Sequence, residues 1–177
     1  MRPITPLAKK SAALRGFTFI DLLTTLSIFM VITFLGIPNF SAWLQRQAQS
    51  TVFDTLHHLS TFARTKAVKE NTYLTLCASH DNVNCTGEWN KTIIIFSDPN
   101  KNETVDGDER LFKVLTLPKS TPCLLWNAGA QRQYLQFKPS GAINGTAGHF
   151  RFCDSVNNSI ETRLVISFNG RTSLKSL

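Results

Sequence analysis

Hydrophobic and polar positions divide the chain into three regimes. Residues 17–40 carry one formal charge, Asp21, in an otherwise apolar or hydroxyl-bearing run. As a helix that run rises about 36 Å, enough to cross the hydrocarbon core of a bilayer. Gly36-Ile37-Pro38 falls near its end, where a proline removes one helical hydrogen bond and crowds the preceding turn. In residues 41–70 the pattern changes. Trp43, Leu44, Ala48, Val52, Leu56, Leu59, Ala63 and Ala67 recur at three- and four-residue spacings, with polar residues between them. This predicts an amphipathic helix that lays one stripe on a core. A heptad coiled coil is the rival, but the stripe is short and ends near Asn71. From residue 72 the period shifts to two, which predicts strands at 72–78, 91–97, 110–116, 123–127, 133–138, 148–153 and 162–168. Leu164, Ile166 and Phe168 share one face of the last. Ile93-Ile94-Ile95-Phe96 is apolar on both faces and is placed centrally. Loops are expected at 79–90, 98–108 and 139–148. The expected architecture is α+β: a long N-terminal helix packed on an antiparallel β domain of two small sheets. Its divisions are a leader at 1–16, a membrane helix at 17–40, its amphipathic continuation at 41–70 and the β-rich domain at 71–177.

Charge sharpens the first regime. The leader holds Arg2, Lys9, Lys10 and Arg15 and no acid, an asymmetry that keeps the N-terminus on the cytoplasmic side. A secretory signal carries its small residue after the apolar run; here Gly16 lies before it. The formal charge is +7, of which the leader supplies four positives, leaving +3. Residues 70–110 sum to −5 and residues 111–177 to +6, so the surfaces of the domain are polarised, whether as contact faces or as segregated solvated loops.

Cys77, Cys85, Cys123 and Cys153 all follow the apolar run. An even count in an exported domain reads as disulfides. Cys77 and Cys85 enclose a short polar loop, making a local bridge the natural pairing and leaving Cys123 for Cys153. Four cysteines permit three connectivities, and the sequence does not choose.

The frame of basic leader, Gly16, then Phe17-Thr18-Phe19-Ile20-Asp21 resembles the type III signal of type IV pilins. Further motifs are Leu76-Cys77-Ala78-Ser79 with Cys85 and Trp89, and Phe96-Ser97-Asp98 with Asp106 and Glu109. Phe137-Lys138-Pro139-Ser140-Gly141, Phe150-Arg151-Phe152-Cys153-Asp154 and Asn169-Gly170-Arg171 follow. Together they resemble the GspH/FimT-type minor pilins and pseudopilins. The resemblance implies a bacterial inner-membrane protein, single-pass, with a periplasmic domain. It implies a membrane peptidase that cuts after Gly16 and methylates Phe17, and assembly with other pilins into a filament. Asp21 would then pair with the amine of Phe17 on its own or a neighbouring subunit. Two positions depart from the family pattern. Asp21 stands where Glu is usual, and Gly170-Arg171 is followed by Thr172-Ser173 rather than by a second arginine.

Three candidate chemistries remain. Arg132, Lys138, Arg151, Arg163, Arg171 and Lys175 spread over the basic C-terminal third, suiting double-stranded DNA held by its phosphates. In that reading Arg132, Lys138, Arg163, Arg171 and Lys175 carry the grip, and Gly170 allows close approach to a backbone. Asp98, Asn100, Asn102, Asp106 and Glu109 fall at the first, third, fifth, ninth and twelfth places of a calcium-loop spacing. Glu103 sits at the sixth place, where such loops need glycine, so a solvated acidic hairpin loop is the preferred reading. His57 and His58 point about 100° apart on a helix, which disfavours a shared metal. No Ser-His-Asp frame, phosphate loop or paired-carboxylate cleft is present, and the chain is read as a structural or binding subunit rather than an enzyme. The functional expectation is a minor pilin of a type IV pilus that binds DNA during uptake, the alternative a type II secretion pseudopilin contacting exported proteins.

Overall fold

The computed structural model describes residues 16–129, 132–153 and 162–176. The basic leader, Asp154 and the side chains of Gly36-Ile37-Pro38 lie outside the described residues. The chain divides into two compact units, Met1–Leu44 and Gln45–Leu177. Helix α1, Phe19–Glu70, is assigned without a break.

In the first unit every large apolar side chain from Phe17 to Phe34 is exposed. A helix apolar all round belongs in lipid or in a protein core. Its hydroxyls are turned back on the helix: Thr24, Thr25, Ser27 and Thr33 donate to the carbonyls of Asp21, Leu22, Leu23 and Phe29. Among the described residues no helix is long and apolar enough to cross a membrane.

The second unit holds the rest of α1 and eight strands: β1 Leu74–Ala78, β2 Thr92–Ser97, β3 Leu111–Thr116, β4 Leu124–Ala128, β5 Tyr134–Phe137, β6 Gly148–Phe152, β7 Thr162–Ile166 and β8 Thr172–Ser176. They form two four-stranded antiparallel sheets, ordered β3-β2-β1-β5 and β4-β6-β7-β8. The helical stripe meets the inner faces of both. Val52, Leu56, Leu59, Ala63 and Ala67 join Leu74, Leu76, Ile93, Ile95, Phe137, Trp126, Phe150, Leu164 and Ile166 in one buried cluster. The stripe begins later than the sequence spacing predicts, because Trp43, Leu44 and Ala48 are exposed while Phe53, off the predicted series, is buried against Phe152. Phe168 departs too: β7 ends at Ile166, so the ring sits in a turn and is 65% exposed.

The placement of Ile93–Phe96 in a central strand holds. β2 is an inner strand, and its outward residues Ile94 and Phe96 form a second small core with Cys77, Cys85, Val105 and Tyr134. That core has a cover. The Cys77–Cys85 loop and the β2–β3 loop meet through an isolated Asn84–Thr104 bridge and a 2.9 Å bond from the Val105 amide to the Val83 carbonyl. The tail is the main topological surprise. Thr172–Ser176, beyond the last strand expected from the sequence, is β8, antiparallel to β7 over all five of its residues.

Candidate processing site and anion-binding face

Both disulfides are formed as the loop argument favoured, Cys77–Cys85 and Cys123–Cys153, and among the described residues no cysteine is free. The second continues the β4–β6 register, in which Leu124 faces Phe152.

At the start of α1, Gly16, Phe17 and Thr18 are not helical. The Asp21 carboxylate accepts hydrogen bonds from the Thr18 amide at 3.0 Å and the Thr18 hydroxyl at 2.7 Å, both through Oδ2. Its other oxygen takes neither bond.

Of the five cations nominated for DNA, Arg132, Lys138 and Arg171 stand outside the strands of the second sheet. Arg132 donates to the Tyr134 hydroxyl at 2.9 Å and lies 5.5 Å from its ring centre. Burial, together with a hydrogen bond donated to the Glu103 carboxylate, pushes the Tyr134 phenol up to about 12. Lys138 sits in the turn closed by the Gly141 amide on its carbonyl. Arg171 is exposed in the β7–β8 turn. Gly170 beside it does not wait for a nucleic acid: its φ is +74°, and a Cβ there would stand 2.1 Å from the Gly141 carbonyl oxygen. The space its missing side chain leaves is used by the protein's own backbone, where the Arg64 guanidinium also bonds Gly141 at 3.0 Å.

Arg163 and Lys175 do come together, as direct register partners on β7 and β8. Arg151 joins them: Phe150 pairs with Leu164 across β6–β7, so the next position of the same register sets Arg151 beside Arg163. Phe150, Phe152 and Leu164 are buried, and strand alternation puts the three cations on the opposite, outward face. Strands lie about 4.8 Å apart, so the row crosses the sheet over about 10 Å. The remaining outward positions of these strands are Leu125, Asn127, His149, Val165 and Ser173, with no carboxylate among them. Like charges set side by side on a sheet repel; in this row Lys175 is exposed, while Arg151 and Arg163 are half-buried and the Arg163 Nε lies out of solvent. The sequence reading counted Arg151 as charge but did not place it in the site. Its signal was the equal twelve-residue spacing of positions 151, 163 and 175.

The acidic loop is exposed at Asn100, Asn102, Asp106 and Asp108, as a solvated loop should be, but its first residue is not. Asp98 is fully buried. Its Oδ2 accepts from Thr75 Oγ1 at 2.6 Å and Gln136 Nε2 at 2.8 Å, and its Oδ1 from the Asn102 amide at 3.0 Å. Asn100 and Asn102 turn their amide nitrogens to Asp106. Glu109 takes the Asp106 amide on Oε2 and leaves Oε1 buried without a partner. Burial first, then the charges of Asp98 and Asp106, raise its carboxyl above the ordinary value. Among the described residues no group of three or more His, Cys, Asp or Glu side chains is arranged to hold a metal ion.

A helix whose second half packs on two four-stranded antiparallel sheets, following an exposed apolar segment, defines a pilin-type subunit. The chain belongs to the GspH family, type II transport protein GspH, whose model matches residues 53–170, more than half its length. Its fold is similar to the crystal structure of the type IV minor pilin FimU of Pseudomonas aeruginosa (strain PAO1) in space group P21, at 17% identity and a TM-score of 0.53, covering 76% of this chain and 96% of that one. The same protein in space group P65 matches at 17% identity and a TM-score of 0.50, covering 72% and 96%. No curated protein matches.

Proposed function

We propose that this protein is a minor pilin of a type IV pilus that grips double-stranded DNA on the outward face of the β4-β6-β7-β8 sheet. It is made with the leader 1–16, cut and methylated at Gly16/Phe17 by a membrane peptidase, and held in the bacterial inner membrane by 17–40. The domain from 71 stands in the periplasm, with 41–70 joining it to the membrane helix. The back-bonded hydroxyls of α1 support the membrane role, since hydrocarbon offers polar groups no other partner. In a filament with other pilins, the free Oδ1 of Asp21 is left for the Phe17 amine. The observation that carries the DNA reading is the row Arg151–Arg163–Lys175. Three phosphate contacts give a slope near −2.7 in log K against log salt, and binding weak and indifferent to sequence.

The test is fluorescence anisotropy of duplex DNA with the unit from Gln45 across a salt series. The parent should show that slope, and Arg151→Glu with Lys175→Glu should abolish binding while the melting transition stays put. Equal binding by parent and double variant, or none by either at low salt, leaves a filament subunit without DNA binding.

A second reading is favoured by the family description: a type II secretion pseudopilin whose outward face meets an exported protein. Capture of a secreted protein by the parent, with no DNA shift at low salt, would select it.

A further inference from the structure

The first bonds of α1 form a closed set. The Thr18 carbonyl accepts the Leu22 amide at 3.3 Å, which makes Thr18 the N-cap. Thr18 Oγ1 accepts the Asp21 amide at 3.3 Å, and Asp21 Oδ2 accepts the Thr18 amide at 3.0 Å. Such a reciprocal capping box satisfies donors the helix leaves orphaned and fixes where it starts. Gly16 and Phe17 fall just outside it. Upstream lie Ala12-Ala13-Leu14-Arg15, all strong helix formers. A peptide bond inside a helix has its N–H and C=O tied to its own chain, whereas a peptidase cleft takes its substrate extended.

We propose that Thr18 and Asp21 are positioning residues for processing: their capping box stops α1 at Thr18 and keeps the Gly16–Phe17 bond extended for hydrolysis. The inference rests on the proposed cleavage after Gly16. Water supplies the hydroxyl of the new Gly16 carboxylate and the proton of the new Phe17 amine, and nothing else is consumed. The box explains why a shorter acid serves at position 21. Aspartate one turn into the helix still reaches its own N-cap.

The experiment follows conversion of the full-length precursor in membranes holding the active peptidase, read by mass spectrometry over time. Thr18→Val keeps the shape and loses the cap; Thr18→Ser and Thr18→Asp change the shape and keep it. Thr18→Val should slow conversion about fivefold, the worth of a typical cap, and Thr18→Ser and Thr18→Asp should stay within about twofold of the parent. Asp21→Ala should slow conversion and Asp21→Glu restore it. Conversion of Thr18→Val at the parental rate overturns the proposal, and so does Thr18→Asp converting as slowly as Thr18→Val, which would mean the enzyme reads side-chain shape. If the parent itself is never cut at Gly16–Phe17 while the peptidase matures other substrates, the cleavage reading fails, and the positioning role with it.

Discussion

Replacing Asp98 tests whether the β2–β3 loop is core or ornament. The carboxylate holds two buried donors, Thr75 Oγ1 and Gln136 Nε2, and two loop amides, Asn102 and Glu103. In Asp98→Ala the loop amides turn to water at little cost. Thr75 and Gln136 are 0% and 2% exposed and cannot. Gln136 Nε2 keeps a 3.0 Å bond to Thr75 Oγ1, so one buried donor, the Thr75 hydroxyl, is stranded. A stranded buried donor costs about 1–3 kcal/mol and each lost bond to a charge about 1.5–3 kcal/mol. Against this, removing a buried carboxylate recovers part of its desolvation cost. The balance is about 3–4 kcal/mol lost. Asp98→Asn is milder. With its oxygen at the Oδ2 position it keeps both buried donors and gives up only the Asn102 amide, about 1–1.5 kcal/mol. Urea unfolding of the unit from Gln45 reads both, and with a slope near 2 kcal/mol/M the alanine variant should lose about 1.5–2 M in midpoint. An alanine midpoint within about 0.5 M of the parent, or an asparagine variant as damaged as the alanine one, would refute the reasoning. Since both Asp98 oxygens are taken, millimolar calcium should leave the parent's midpoint where it is.

Gly170→Ala meets a backbone oxygen at 2.1 Å and a positive φ, so it should cost about 2–4 kcal/mol in the same unfolding assay. Two carboxyls should give opposite pH responses. Asp81 accepts bonds from the Asn84 and Val83 amides, which hold it well below its ordinary value of 3.8. Its stabilisation is therefore complete above that value and lost as pH falls below it, and the deficit of Asp81→Asn at neutral pH should close on acidification. Glu109 is raised above its ordinary 4.5 by burial and by like charges. The folded state thus prefers it protonated, its favourable contribution disappearing as pH rises through the raised value. Glu109→Gln should match or exceed the parent at neutral pH and lose that advantage toward 4.5.

Much of this molecule is legible in its sequence because most of its elements announce themselves by period. The alternation in Leu164 and Ile166, and the two-faced run Ile93–Phe96, carry their burial openly. β8 was not legible for the converse reason: Thr172–Ser176 offers one apolar residue, Leu174, and that side chain stays 55% exposed at the sheet edge. Asp98 was misread as solvated because a loop of Asp, Asn and Gly normally faces water, and nothing local says that Thr75 and Gln136 will meet above it. The cationic row depends on register, which hairpin lengths set at long range. Residue types gave charge, and pairing gave it an address.

Sheet β3-β2-β1-β5 is covered on its outer side by two interlocked loops, whereas the outward positions of β4-β6-β7-β8 carry no such lid in the described residues. A change of loop length at 79–90 or 98–109 is therefore a change to an interior. On the other sheet, the exposed outward residues Leu125, Asn127, Ser173 and Lys175 can be repainted without disturbing the core beneath them. A lineage built on this frame has one half that is fixed by its own architecture and another that works as an exchangeable label, so that subunits with the same skeleton can acquire different clients by drift at a few pleats.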